Sequence, residues 1–138
     1  CFYLYRQFQE KSIAFFYFVN YNESMQNAIN IDLWTKLIKE KYLNRELKRK
    51  KLLKKTCEIL KVYFSNKKVK AVYLTGSLIN EGDFYDFSDI DIAVENLKED
   101  YFKILCELEE LLPRRVDLIE LESCSFKKLI LERGIKIL

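Results

Sequence analysis

Apolar residues follow two different spacings along this chain, and the change from one to the other falls near residue 69. Before that point they recur every three or four positions, which predicts a long amphipathic helix. Asp32 is of the type that caps the start of such a helix, and Ser65-Asn66 marks the end of the pattern. The core-facing positions of the predicted helix are Leu53, Cys57, Leu60 and Phe64.

After residue 69, short apolar runs of strand length alternate with helical spacing. The predicted strands are Val69–Thr75, Asp89–Val94, Arg115–Leu121 and a short last one at Ile135–Leu138. The predicted helices are Leu97–Leu112, which Pro113 stops, and Phe126–Arg133, which Gly134 closes. This alternation predicts an α/β (α+β) fold, with a small mixed sheet backed by helices.

Charge divides the chain into three parts. Residues 1–24 have no net charge and hold nine of the twenty aromatic residues, residues 25–70 carry fourteen Lys or Arg against four acidic residues, and residues 71–138 carry eight against fifteen. We therefore expect an N-terminal extension at 1–24, a basic helical segment at 25–68 that packs on the domain, and a core at 69–138. Met25 is the only methionine, and two interpretations of residues 1–24 are open: the natural start is Met25, or these residues add a strand or helix that packs on the domain.

The basic segment contains one dense run of positive charge, from Lys48 to Lys55. Two interpretations are open. The run is either the solvated face of an amphipathic helix, or a surface that binds RNA or another acidic partner.

The residue types present exclude several kinds of chemistry. The chain has no histidine, which excludes Ser-His-Asp and Cys-His catalysis and zinc sites built on histidine. Its four cysteines have no metal-like spacing, and we expect Cys57 and Cys106 to be reduced core residues of a cytoplasmic protein. No apolar run approaches the roughly 18 residues that a membrane-spanning helix needs, so we expect no membrane partner. A chain of 138 residues has room for one domain of ordinary size.

Three aspartates carry the chemistry that the sequence predicts. Asp89 and Asp91 are two positions apart in a predicted strand, so their carboxylates project from the same face. Two carboxylates that close repel each other unless a cation lies between them, and Mg²⁺ prefers such oxygen ligands. Asp117 lies in a third apolar strand, where a lone carboxylate is costly to bury without a partner, and we predict it as the third ligand. The alternative is an ordinary ion pair between Asp117 and Arg114 or Arg115.

A glycine and a serine, Gly76-Ser77, follow the first predicted strand. Glycine lets the backbone approach a ligand closely, and the amides of a short helical turn can hold phosphate oxygens together with the serine hydroxyl. A phosphate-binding turn next to a pair of metal-binding carboxylates predicts a site for a nucleoside triphosphate, and Ser88 is a further candidate for nucleotide binding. The aromatic residues of the connecting loop either stack on a base or pack against the protein; they are Phe84, Tyr85 and Phe87.

The order of these residues resembles a known signature. The chain has Gly76-Ser77, followed in the same segment by Ser88-Asp89-Ile90-Asp91. This order resembles the signature of the DNA polymerase β-like nucleotidyltransferase superfamily. The size of the chain resembles the minimal nucleotidyltransferase (MNT) family within it. The resemblance covers residues 69–138 and implies a polymerase β-like palm. One departure is that the family commonly has G-S-x-A-x-G, whereas Gly82 comes one residue later here.

The resemblance also implies roles for the candidate residues. Gly76 and Ser77 would hold the triphosphate of ATP, Asp89 and Asp91 would bind two Mg²⁺ ions, and Asp117 would complete the site. The expected reaction is attack of an acceptor hydroxyl on the α-phosphate, which transfers AMP and releases pyrophosphate. In the MNT family the acceptor is a HEPN-type toxin that is adenylylated on a tyrosine, so a protein partner of this type is expected.

Two alternatives are open at this point. One is a binding module that neutralises a partner by docking, without turnover. The other is nucleotide transfer to an RNA end, which the basic helix favours, or to a small molecule.

Overall fold

The computed structural model describes residues 31–138, so the predicted extension at 1–24 and Met25 lie outside the described residues. The chain divides into two compact units, residues 1–41 and 42–138. Of the first unit, residues 31–41 are described, and they are helical. The second unit contains the sheet and every candidate site residue.

The second unit is built on one mixed sheet. The strands lie in the order β3-β2-β1-β4; β1 is antiparallel to both β2 and β4, whereas β2 and β3 are parallel. The predicted mixed sheet backed by helices is therefore confirmed. Within residues 31–138 the elements are α1 (Ile31–Phe64), β1 (Ala71–Thr75), a 3₁₀ turn (Gly76–Ile79), β2 (Ile90–Glu95), α2 (Tyr101–Leu111), β3 (Val116–Glu120), α3 (Lys127–Arg133) and β4 (Ile135–Lys136).

Two helix starts differ from the sequence prediction. Asp32 lies inside the first turn of α1, so the prediction that it caps this helix is wrong. The second helix begins at Tyr101 rather than at Leu97, because Asp100 caps it: its carboxylate accepts a hydrogen bond from the Lys103 amide at 2.8 Å.

Three of the four strands are shorter than predicted, and the second is shifted by one residue. The second strand begins at Ile90, so Asp89 lies immediately before it rather than within it. The last strand covers two residues, Ile135–Lys136, instead of four. Gly134 closes α3 as expected, and a Cβ there would lie 2.5 Å from the carbonyl oxygen of Ile130, so close packing requires the glycine.

One face of the sheet packs against α1 and α2 and forms the main core. Leu53 and Cys57 of α1 pack against this core, and burial raises the pKa of the Cys57 thiol. Cys106, in contrast, is exposed, so the expectation that it is a core residue is wrong. The fully buried members of this core are Leu60, Phe64, Val72, Leu74, Leu78, Ile90, Ile92, Val94, Ile104 and Leu108.

The opposite face of the sheet carries a second, smaller cluster. Ile130 of α3 packs there with Tyr73, Ala93 and Ile119, which are neighbours across three strands. Because side chains on one face recur every two residues, the adjoining row on this face consists of Thr75, Asp91 and Asp117. No helix within residues 31–138 is long and apolar enough to cross a membrane.

Candidate active site

The second strand, β2, carries the centre of the candidate site. Asp91 pairs with Thr75 of β1 on one side and with Asp117 of β3 on the other. Because β2 and β3 are parallel and these two aspartates share a register position, their carboxylates project from the same face. Asp89 comes two residues earlier, and its charge, like that of Asp117, acts on Asp91. The structure therefore places Asp91 and Asp117 side by side, with Asp89 near enough for its charge to act on Asp91.

The electrostatic environment of Asp91 is unfavourable to its charge. Its pKa is raised to about 6, first by burial of the carboxyl group and then by the negative charges of Asp117 and Asp89. A hydrogen bond from the backbone amide of Ser77 acts in the opposite direction. Asp91 is half-buried, whereas Asp89 and Asp117 are exposed. A carboxylate placed beside two like charges is stabilised by a cation.

The alternative interpretation of Asp117, an ion pair with Arg114 or Arg115, does not occur in the structure. Arg114 instead donates to the backbone carbonyl of Asp86, and its Nη2 lies 3.6 Å from the Asp86 carboxylate. Among residues 31–138, no ion pair involves Asp89, Asp91 or Asp117.

The oxygen ligands present suit an Mg²⁺ ion that is bound partly by the protein and partly by a substrate. In the described part of the chain, no three His, Cys, Asp or Glu side chains are grouped closely enough to hold a metal ion by themselves. Mg²⁺ is usually bound by one or two carboxylates, and substrate phosphates and water complete its octahedral coordination. The hard oxygen ligands of Asp91 and Asp117, at one register position, fit this kind of site.

Gly76 permits a close approach within the protein. Its φ is +75°, and a Cβ at this position would lie 1.8 Å from Oδ2 of Asp91. The approach seen in the structure is thus between the turn and the Asp91 carboxylate, which also accepts the hydrogen bond from the Ser77 amide. Ser77 is half-buried, and within residues 31–138 its hydroxyl has no hydrogen-bond partner.

Ser88 shapes the loop that precedes the site. Its hydroxyl accepts a hydrogen bond from the Tyr85 amide at 2.9 Å, and its own amide donates to the Tyr85 carbonyl at 3.1 Å. These bonds close a turn immediately before Asp89 and so fix the backbone position from which its carboxylate projects. A role of Ser88 in nucleotide binding stays a prediction.

The three loop aromatics have different surroundings. Phe84 is buried in the core. Tyr85 lies between the guanidinium of Arg45, 4.2 Å from the ring centroid, and the ring of Phe87, whose centroid is 5.5 Å away. Phe87 itself is 70% exposed, so it is the one of the three that is open to a partner or a base.

Two residues of α1 that contact the site loop were not predicted from the sequence. Glu46 and Arg49 are each only 5% exposed, and their ion pair, at 2.8 Å, contacts the loop that follows Gly76. Arg49 belongs to the basic run, whose two interpretations both assumed that its charges face outward. The spacing could have shown otherwise, because Arg49 and Glu46 lie four and seven residues before Leu53 and so on the same helix face. The exposed members of the run are Lys48, Lys50, Lys51, Lys54 and Lys55.

Comparison with known proteins identifies a family. The family model described as polymerase beta, nucleotidyltransferase matches residues 48–138, well over half of the chain. No curated protein matches.

Several solved structures are similar to the chain. A toxin–antitoxin MntA–HpeT mutant is 25% identical over 60% of this chain and 71% of that chain, with a TM-score of 0.47. A toxin–antitoxin structure with AMP-PNP is 26% identical over 61% and 72%, also with a TM-score of 0.47. A candidate nucleotidyltransferase from Sulfolobus solfataricus is 24% identical over 64% and 80%, with a TM-score of 0.40. The family of the chain is shown by the family model that matches residues 48–138 and not by these TM-scores.

The role of Gly76 can be tested by comparing Gly76→Ala with Gly82→Ala. Both glycines have positive φ, so each substitution strains the backbone by about 1–3 kcal/mol. Only at position 76 does the new methyl group collide with Asp91; at position 82 the nearest atom is 3.9 Å away. Urea unfolding is expected to show a clearly larger loss of stability for Gly76→Ala. Equal losses would show that the contact with Asp91 is unimportant.

The raised pKa of Asp91 predicts how stability depends on pH. Between the ordinary pKa of 3.8 and the folded value of about 6, the folded chain binds more protons than the unfolded chain, so stability falls as pH rises through this window. Asp91→Asn removes the charge and is therefore expected to raise the melting temperature at pH 7 in the absence of divalent ions. Below pH 3.8 the difference from the wild type should vanish, because both states are then protonated. The exposed Asp83→Asn serves as the control, and an equal gain there would contradict the prediction.

Proposed function

Because the chain belongs to the polymerase beta nucleotidyltransferase family, we propose that it transfers AMP from ATP to an acceptor hydroxyl, with Mg²⁺ held by Asp89, Asp91 and Asp117. The observation that carries the proposal is the placement of Asp91 and Asp117 at one register position on adjacent parallel strands, with Asp89 acting on the same carboxylate. The raised pKa of Asp91 supports it, since a cation would relieve the repulsion.

Each side chain has a role that follows from its position. The hydroxyl of Ser77, the residue whose backbone amide donates to Asp91, binds a phosphate oxygen of the triphosphate. Asp117 is exposed, so it lies on the side from which an acceptor arrives and can accept the proton of the attacking hydroxyl. Bound Mg²⁺ would neutralise phosphate charge and lower the pKa of that hydroxyl. Pyrophosphate leaves as the new phosphodiester bond forms.

We propose that the acceptor is a hydroxyl of a protein, a HEPN-type toxin, and that the chain is its antitoxin. The resemblance in size and motif to minimal nucleotidyltransferases supports this partner. The exposure of Asp89 and Asp117 supports a macromolecular acceptor, because neither carboxylate is enclosed in a small-molecule pocket formed by residues 31–138. Exposed Phe87, two residues before Asp89, offers the partner an apolar contact. The free thiols of Cys57, Cys106 and Cys124 support a cytoplasmic site of action.

Transfer is tested by incubating the chain with ATP, Mg²⁺ and the HEPN protein of a neighbouring gene. The expected result is a mass gain of one AMP on a tyrosine of that protein, lost when Mg²⁺ is chelated. Asp117→Asn should lower the rate by about 100-fold or more, since it removes a ligand and the proton acceptor. Asp83→Asn, an exposed loop carboxylate outside the site, should leave the rate unchanged.

The outcomes separate the two parts of the proposal. ATP binding without any modification of the HEPN protein would contradict the partner but not the chemistry. Failure to bind ATP with Mg²⁺ would contradict nucleotide transfer and favour a module that acts by docking alone.

Transfer to an RNA end is a second candidate, supported by the five exposed lysines between Lys48 and Lys55. If these contact phosphates, RNA binding should weaken steeply as salt rises, and Lys50→Gln with Lys54→Gln should reduce the slope of log K against log salt by about 1.4, since each contact to a single strand contributes about 0.7. Binding that is insensitive to salt would argue against this candidate.

A further inference from the structure

We propose that the buried ion pair of Glu46 and Arg49 in α1 positions the loop at residues 78–82 for nucleotide binding. Neither side chain touches the nucleotide in this proposal; they act through the loop and are positioning residues. The inference rests on the proposed function, because it concerns the turn that would hold the triphosphate.

Both partners of the pair bind the loop at separate points. Arg49 donates from Nη1 to the carbonyl oxygen of Leu78 at 3.0 Å. Glu46 accepts a hydrogen bond from the Gly82 amide on Oε1, also at 3.0 Å. Its other oxygen, Oε2, accepts from Nε and Nη2 of Arg49 at 2.9 and 2.8 Å. The pair therefore joins the two ends of a five-residue segment to one helix.

Both side chains of the pair are buried, so their charges depend on each other and on the loop. Each residue is 5% exposed, so water replaces few of these contacts. The hydrogen bond from Arg49 lowers the pKa of Glu46 despite burial, which keeps the carboxylate charged. A third contact from the same helix, from Nη2 of Arg45 to the Gly82 carbonyl at 3.3 Å, holds the next peptide unit of the loop.

The held segment is continuous with the turn of the candidate site. Leu78 is the third residue of the 3₁₀ turn whose first two residues are Gly76 and Ser77. The far end of the turn is tied back by Asn80, whose side-chain amide donates to the Gly76 carbonyl at 3.2 Å. Because the turn is so short, a shift at Leu78 also moves the Ser77 hydroxyl relative to Asp91.

Stability alone would not require charged residues at these two positions. Apolar side chains of similar volume often replace a buried ion pair without loss of stability, whereas removing one partner leaves an unpaired buried charge. Apolar side chains cannot, however, bind the Leu78 carbonyl or the Gly82 amide. A double substitution, Glu46→Leu with Arg49→Met, therefore separates folding from positioning.

The test measures binding of AMP-PNP with Mg²⁺ by calorimetry, well below the melting temperature of every variant, so it needs no acceptor. The double variant and Arg49→Gln are each expected to bind about 10–100-fold more weakly than the wild type. The affinity of Arg49→Lys, which keeps the charge but loses the planar fork, should lie between the affinities of these variants and that of the wild type. Lys61→Gln is the matched control, because it removes one positive charge from the exposed face of the same helix and should change nothing.

Hydrogen exchange provides a second readout that does not depend on nucleotide. The Gly82 amide should exchange faster in the double variant, which lacks its acceptor, even if the melting temperature equals that of the wild type. Lys61→Gln should leave this exchange rate unchanged.

Three results would overturn the proposal. A stable double variant that binds AMP-PNP as tightly as the wild type would show that the pair only supports the fold. If the double variant does not fold, equal affinities of Arg49→Lys, Arg49→Gln and the wild type would lead to the same conclusion. If the wild type itself does not bind AMP-PNP with Mg²⁺, the proposed function fails and this inference fails with it.

Discussion

The carboxylate of Asp91 is the constraint on which the rest of the site depends. Strand pairing places it between Thr75 and Asp117, and the core beneath the strand keeps water from screening it fully. Burial and two like charges raise its pKa to about 6, and the Ser77 amide offsets only part of this effect. Gly76 completes the arrangement, since any side chain there would occupy the position of the carboxylate. A folded chain thus keeps an acidic group in an environment that disfavours its charge, which is a common property of sites that bind cations or move protons.

The long helix α1 connects this site to the rest of the second unit. Its inward face is apolar towards the C-terminal end, where Leu60 and Phe64 enter the core, and charged at Glu46 and Arg49. Near its end, the Tyr63 hydroxyl donates to Glu107 of α2 at 2.5 Å, and Lys67 pairs with the same carboxylate at 3.0 Å. The helix therefore contacts both the turn beside Asp91 and the crossover helix that leads from β2 to β3.

Local patterns in the sequence were sufficient to predict the sheet, the helices and the common face of Asp91 and Asp117. Period-two alternation around Ile90 and Ile92 fixed which face of β2 is buried, and the same alternation placed Asp91 on the other face. The predictions failed where residue type was used without the position of the residue on its helix. Arg49 looked like one more solvent-facing charge of a basic run, although it shares a helix face with Leu53, and only the structure shows that it binds the Leu78 carbonyl, 29 residues away. Cys106 looked apolar although its helix position is exposed. The first helix was expected to begin at Asp32 because of residue type alone, whereas the cap found in the structure is Asp100, at the start of α2.

Parallel pairing of β2 with β3 also limits where insertions and deletions can occur. The segment between these strands includes turns on both sides of α2, where an added residue would lengthen a surface loop at small cost. One residue added within β3 before Asp117 would instead turn every later side chain to the opposite face. The added residue would then lie opposite Asp91, and the carboxylate of Asp117 would move opposite Ile92, into the apolar core. Length variation in related sequences should therefore concentrate around α2 and avoid β3.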